Sequence, residues 1–318
     1  MHVMKAVRFH EYGGPEVLRL EEVPRPEPAE GRLLVRVRAA GVNPFDAKVR
    51  SGAARAWIRH RLPLIPGWDF SGVVERSGPG APAWTAGAEV LGKADVARDG
   101  ADAEYLVVAP EEVVARPAGL PALEAAALPT ALTAWQALYG LPPGRPGLDL
   151  APGQTILIQG GAGGVGGFAV QLAKLRGARV IATASAAHRE HVRALGADVV
   201  VDYARERFEE AARDVDAVLD LVGGETLERS WNVLRAGGAL ASAVGSLSEE
   251  RARALGARAV AVDTRMDSGQ LEELVRLATS GHLRIPLAAV WPLAEVRRAH
   301  EAIETGHTAG KIVLRVDA

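Results

Sequence analysis

The sequence predicts an α/β protein, a doubly wound parallel sheet joined to a separate β-rich domain. Three observations carry that expectation. Residues 1–127 are short alternating apolar runs broken by Gly and Pro, the pattern of many short strands and turns. Residues 128–267 instead alternate short apolar runs with helical stretches of about ten residues, the rhythm of a parallel sheet covered by helices on both faces. Inside that series, between a strand pattern and a helix pattern, lies Gly161-Ala162-Gly163-Gly164-Val165-Gly166.

Taken in order, the first region offers strands at 33–37, 70–74, 89–92 and 105–108. The Pro/Gly-rich stretch 141–153 reads as a surface loop ahead of the sheet. The series proper begins with a strand at 155–159, the glycine-rich turn, and a helix reaching Arg176 and stopped by Gly177. A strand at 179–182, a helix ending at Gly196, and strands at 198–201 and 217–220 follow. A helix near 225–235 and strands at 239–242 and 258–261 complete it. Residues 268–318 hold two helices, a strand at 288–290 and a closing strand at 311–316, do not extend the series, and are expected to return to the first domain.

With 318 residues, 48% hydrophobic and 24% charged, the chain is long enough to build its cores without disulfides or a structural metal. It has no Cys, which excludes disulfides, thiolate zinc sites, Cys-ligated iron–sulfur clusters and Cys nucleophiles. A net charge of −2, with 37 basic and 39 acidic residues spread along the chain, gives no stripe for a phosphate backbone, so no nucleic-acid partner is expected. No apolar run reaches membrane-span length and the start lacks a signal-peptide pattern, so the expectation is a cytoplasmic protein with no membrane partner. Only five of the basic residues are Lys.

The glycine-rich turn fits G-x-G-x-x-G in the strand–turn–helix setting that gives the motif meaning, and it predicts a Rossmann-type dinucleotide site. Gly161, Gly163, Gly164 and Val165 let the backbone approach a pyrophosphate, whose charge is favoured by the free N–H groups at the helix start. An NAD site usually carries an acid about 20 residues further on to bond the ribose hydroxyls. Here Ser185 stands there, followed by His188 and Arg189. A hydroxyl and nearby positive charge suit a 2′-phosphate, so the expected cofactor is NADPH.

Several segments together resemble the zinc-independent, zeta-crystallin-like quinone oxidoreductases of the medium-chain dehydrogenase/reductase superfamily, over nearly the whole chain. They include Ala40-Gly41-Val42-Asn43-Pro44-Phe45-Asp46, Pro66-Gly67-Trp68-Asp69-Phe70-Ser71-Gly72, Ala103-Glu104-Tyr105, Leu195-Gly196-Ala197-Asp198 and Gly310-Lys311-Ile312-Val313-Leu314. The resemblance implies a GroES-like catalytic domain interrupted by the Rossmann domain, with the active site in the cleft between them. It implies Ser185, His188 and Tyr203 around the 2′-phosphate, and Thr133, Val222, Val244 and Gly245 near the nicotinamide half. Zinc alcohol dehydrogenases of that superfamily place a Cys where Asn43 stands and a His where Trp68 stands, so no metal is expected. A homodimer is implied, paired through edge strands of the dinucleotide domain near 239–242 and 258–262.

Without a metal, charge arising on the acceptor oxygen must be met by hydrogen bonds or a cation, which suits quinones and α,β-unsaturated carbonyls. Asn43 and Lys48 lie in the segment that resembles the family's cleft-lining loop and are the catalytic candidates. Trp57, Trp68 and Phe45 are candidates to line an apolar acceptor pocket. The alternatives to a quinone or enone reductase are an enoyl-thioester reductase, with Arg55, Arg59 and Arg61 toward a carrier phosphate, and a non-catalytic NADPH-binding protein of the same fold.

Overall fold

The structure is a computed structural model describing residues 2–81, 84–141 and 143–316. The chain forms two compact units, the first of Met1–Pro129, Met266–Ser280 and Ile285–Ala318, the second of Thr130–Arg265 and Gly281–Arg284.

In the first unit β1 (Val3–Arg8) and β2 (Arg19–Pro24) pair antiparallel. β3 (Leu33–Val42) leads into α1 (Pro44–Ser51), followed by β4 (Asp69–Ser77), β5 (Glu89–Lys93), β6 (Tyr105–Val108), β7 (Val113–Ala115) and α2 (Ala122–Ala127). Its buried core gathers Phe9, Leu33, Val35, Val37, Trp68, Phe70 and Leu314. Close approach explains some of the glycines: a Cβ on Gly41 would stand 2.6 Å from the Ala126 carbonyl oxygen, where α2 lies against β3.

The second unit opens with α3 (Ala131–Tyr139) and β8 (Thr155–Ile158), then α4 (Gly164–Leu175), β9 (Arg179–Ala184), α5 (Arg189–Ala194), β10 (Val199–Asp202) and α6 (Phe208–Ala211). β11 (Val215–Asp220), α7 (Gly224–Ser230), β12 (Leu234–Ser242), α8 (Glu249–Ala254) and β13 (Arg258–Ala261) complete its sheet. The six strands are parallel in the order β10-β9-β8-β11-β12-β13. The order reverses at β8, so the crevice beyond its carboxyl end is the topological switch point where such sheets bind ligands. The chain returns to the first unit through α9 (Ser268–Thr279), β14 (Leu287–Pro292), α10 (Val296–Glu304) and β15 (Lys311–Arg315). There β15 joins β3 antiparallel and β14 parallel, giving the main sheet the order β14-β15-β3-β4-β5-β7 with β6 on β3.

Four details differ from the sequence reading. Gly281–Arg284 belongs to the second unit, because the side chain of Gln171 on α4 accepts from the Arg284 N–H (2.8 Å) and donates to its carbonyl (3.1 Å). The helix expected to reach 235 ends at Ser230, and the chain then turns so that Trp231 and Val233 enter the core. β12 is interior, paired with both β11 and β13, so only β13 is an edge on that side. The loop 141–153 buries Leu148 and Leu150, whose N–H groups bond to α3 carbonyls; Pro142 lies outside the described residues. Among the described residues no helix is long and apolar enough to cross a membrane.

Candidate active site

Two constellations stand out, one in each unit. In the second, the carboxyl ends of adjacent strands form a rim. The turn after β8 is anchored to β9 by the Thr183 hydroxyl, which accepts from the Gly160 N–H (3.0 Å), and by the Thr183 carbonyl, which accepts from the Gly161 N–H (2.8 Å). Thr183 in turn donates to the buried Gln159 amide (2.9 Å), which donates to Ser230 (3.1 Å). Gly163 caps α4 without a side-chain bond, and among the described residues the N–H groups of Gly164, Val165 and Gly166 have no acceptor. A Cβ on Gly163 would meet nothing nearer than 3.6 Å, so this face of the turn is open. Open space and unspent donors together fit a pyrophosphate.

The end of the rim expected to face the ribose is built by β9 and β10. Ser185 follows β9, and the Tyr203 N–H donating to the Ala184 carbonyl (3.2 Å) brings the exposed Tyr203 beside it. His188 is turned back through its N–H to the Ser185 carbonyl (3.0 Å). Arg189 is also here, but it is paired with Glu206, so part of the charge assigned to it from sequence is already neutralised. No carboxylate stands at position 185.

On the other side of β8, Val222 and Val244 are exposed apolar residues on the loops after β11 and β12. Their loops are held by a buried pair that the sequence reading missed. Asp220 accepts from the N–H groups of Val222 (3.2 Å) and Gly223 (2.9 Å) and from the Ser242 hydroxyl (2.7 Å). Ser242 accepts from the N–H groups of Val244 (3.2 Å) and Gly245 (3.0 Å). The available signal was an acid closing an apolar strand run. Thr133, on α3, accepts from the Thr264 hydroxyl (2.9 Å), which ties it to the segment after β13.

In the first unit the segment around Asn43 holds a cluster of buried charge. Asn43 precedes α1, and its N–H is accepted by the Asp46 carboxylate (2.7 Å), closing the helix start. Its amide turns inward, with Nδ2 donating to Asp69 Oδ2 (2.9 Å) and Oδ1 accepting from Lys311 Nζ (2.5 Å). Lys311 also donates to the Val42 carbonyl (3.0 Å), and Lys93 Nζ reaches Asp69 Oδ1 (3.0 Å). Asp46, Asp69 and Lys311 are buried, at 2%, 1% and 3% exposure.

Burial lifts the Asp46 carboxyl to about 7, opposed by the Asn43 N–H and assisted by Asp69. Burial also pushes Asp69 upward, but Lys93, Lys311 and the Asn43 hydrogen bond outweigh it and hold this carboxyl below its ordinary range. The Lys311 ammonium is pulled down to about 8 by burial against the attraction of Asp69 and Asp46. Nearby Asp102 is raised well above the usual range by burial, with Asp46 adding to it.

The sequence candidates fare unequally here. Both ends of the Asn43 amide are engaged within the chain, so it organises the cluster. Lys48, on α1, is half-buried, and its ammonium has no partner among the described residues. Trp68 is core, 1% exposed, with its indole N–H on the Arg98 carbonyl (3.0 Å) and Phe45 against its edge. Trp57 is 74% exposed. An engaged amide and an indole do not make a catalytic zinc donor set, which needs three ligands. Among the described residues no group of three or more His, Cys, Asp or Glu could hold a metal.

Comparison with known proteins places these features in context. Residues 29–118 match the alcohol dehydrogenase GroES-like domain family, and residues 195–314 match a family described as zinc-binding dehydrogenase. The chain is 34% identical to the 2-methylene-furan-3-one reductase of Solanum lycopersicum, over 98% of this chain and 79% of that one. It is 33% identical, with the same coverage, to the chloroplastic NADPH-dependent alkenal/one oxidoreductase of Arabidopsis thaliana. Among solved structures, the quinone oxidoreductase from Coxiella burnetii superposes with a TM-score of 0.89 at 34% identity, covering 99% of this chain and all of that one.

Proposed function

The chain belongs to the quinone oxidoreductase family of the medium-chain dehydrogenase/reductase superfamily, and from that premise we propose that it is an NADPH-dependent reductase of quinones or α,β-unsaturated carbonyls. The observation that carries the cofactor choice is the ribose end of the rim, where Ser185, His188 and Tyr203 gather and no acid occupies the strand end. Gly161, Gly163, Gly164 and Val165 would hold the pyrophosphate and Val222, Val244 and Gly245 the nicotinamide half. When bound, NADPH supplies the hydride. The chain's own part is to orient the acceptor and meet the charge that develops on its oxygen. The donor set around Asn43 and Trp68 supports a reaction independent of zinc.

NADPH is expected to bind at least about tenfold tighter than NADH, since charge-assisted bonds to a 2′-phosphate contribute about 1.5–3 kcal/mol each. Arg189 is shared with Glu206, which keeps the preference near the lower end of that range. Fluorescence titration measures both constants, and equality would sink the assignment. Steady-state comparison of a quinone, an alkenal and an enoyl thioester then identifies the acceptor class, and inertness toward all three would favour a non-catalytic binding protein.

We also propose a homodimer through β13. This is an edge strand with Val260 buried and Ala261 exposed, and an unpaired edge is a liability that pairing with a second copy removes. Light scattering at micromolar concentration should give the mass of two chains; a single-chain mass would contradict the pairing.

A further inference from the structure

Four charged side chains share one place in the first unit, and only one of them reaches solvent. Asp46, Asp69 and Lys311 are buried, whereas the Lys93 side chain is 20% exposed. Such a cluster is a poor device for stability, because taking charges out of water costs about as much as their attraction returns. Perturbed, buried charge of this kind concentrates where chemistry is done.

The residue types point the same way. The chain has 37 Lys and Arg residues, of which only five are Lys, yet two of those five, Lys93 and Lys311, lie in this cluster. A compact ammonium differs from a guanidinium in presenting a point charge with three rotatable donors. Lys311 spends two donors on Val42 and Asn43. Lys93 spends one on Asp69 and has no second acceptor among the described residues. Asp69 is itself gripped at both oxygens, by Asn43 and by Lys93, so the ammonium at the end of β5 is anchored with donors to spare.

We infer that Lys93 is the cation that meets the carbonyl oxygen of the acceptor, with Asp69 and Asn43 as its positioning residues. This rests on the reductase reading above. Hydride addition at the β-carbon moves the C=C pair toward the carbonyl and leaves the negative charge of an enolate on oxygen. The Lys93 ammonium stabilises that charge by hydrogen bonding, and a proton from water then completes the saturated carbonyl. Overall, one hydride and one proton are added, and the nicotinamide is the species oxidised. An ammonium already fixed by a carboxylate need not be ordered as charge develops, which is the advantage of a preorganised donor. Lys48, with no anchor, would have to lose its rotamer freedom to do the same.

The test uses the full chain with NADPH, trans-2-hexenal as alkenal and 1,4-naphthoquinone as quinone. Lys93→Gln keeps a donor toward Asp69 but removes the charge, and is expected to lower kcat/KM for the alkenal about a hundredfold, and less for the quinone, whose product anion is delocalised. NADPH affinity should stay within about twofold, and Lys93→Arg should recover at least about tenfold of the loss. Lys93→Met leaves Asp69 without this partner and serves as a folding control by circular dichroism. If wild type turns over and the folded Gln variant matches it within about threefold, the Lys93 role is wrong while the reductase reading stands. A loss of NADPH affinity proportional to the loss of rate also overturns the role. Wild type that reduces no acceptor removes the reductase reading and this inference with it.

Discussion

Gly166→Ala is expected to abolish useful cofactor binding and to destabilise the second unit at the same time. A Cβ at this position would stand 2.1 Å from the Gly160 carbonyl oxygen and 2.9 Å from the Gly161 Cα, so the methyl collides with backbone that no rotamer change can move. The turn must therefore shift away from α4. That shift pulls on the two bonds to Thr183 that set the turn against β9. Overpacking of this kind costs about 1–3 kcal/mol, which lowers the melting temperature by several degrees in a unit of this size. Affinity for NADPH should fall by about a hundredfold or more, because the open N–H groups of the α4 start no longer converge.

Gly163→Ala supplies the contrast, since its nearest neighbour would be an ordinary 3.6 Å away. It should melt like wild type and bind NADPH more weakly, the methyl standing where the pyrophosphate approaches. Titration and thermal melts of the two variants separate a folding requirement from a binding one. Equal behaviour of both would show that the turn has more room than its geometry implies.

What was legible from sequence follows from distance along the chain. The β8–turn–α4 unit and the serine that follows β9 lie within one run of about thirty residues, so local periodicity and glycine placement were enough to read them. The charge cluster is different in kind. Asn43 meets Asp69 26 residues on and Lys311 268 residues on, and these meetings are made by β3 pairing with β4 and β15. No local pattern announces a pairing of that separation, so Lys93 and Lys311 could not be read from the sequence as members of one cluster with Asn43 and Asp69. The same limit hid Glu206, which sits 17 residues beyond Arg189 and takes up its charge. It also left β12 looking like an edge, because strand order is a property of the sheet and not of any strand.

Asp46→Asn should stabilise the protein increasingly as pH rises from about 5 to about 8. The Asp46 carboxyl is ordinary in the unfolded chain, near 3.8, and is raised to about 7 in the fold. Burial is the first cause, Asp69 adds to it, and the Asn43 N–H, Lys311 and Lys93 oppose it. Buried Asp102 also feels this carboxyl. Between those two values the folded state binds a proton that the unfolded state has lost, so stability contributed by protonation is complete below about pH 4 and is lost as pH rises through 7. Asparagine cannot ionise, yet its side-chain oxygen can still accept the Asn43 N–H that starts α1. The difference in unfolding free energy, variant minus wild type, should therefore grow by roughly 3 kcal/mol across that range, at 1.36 kcal/mol per pH unit until the carboxyl has titrated. Urea denaturation of both proteins at three pH values measures it directly. A flat difference would mean that Asp46 is ionised throughout and that Lys311 and Lys93 outweigh burial, whereas a rising one locates in this cluster a proton exchanged near neutral pH, at the site where the acceptor's oxygen is to be met.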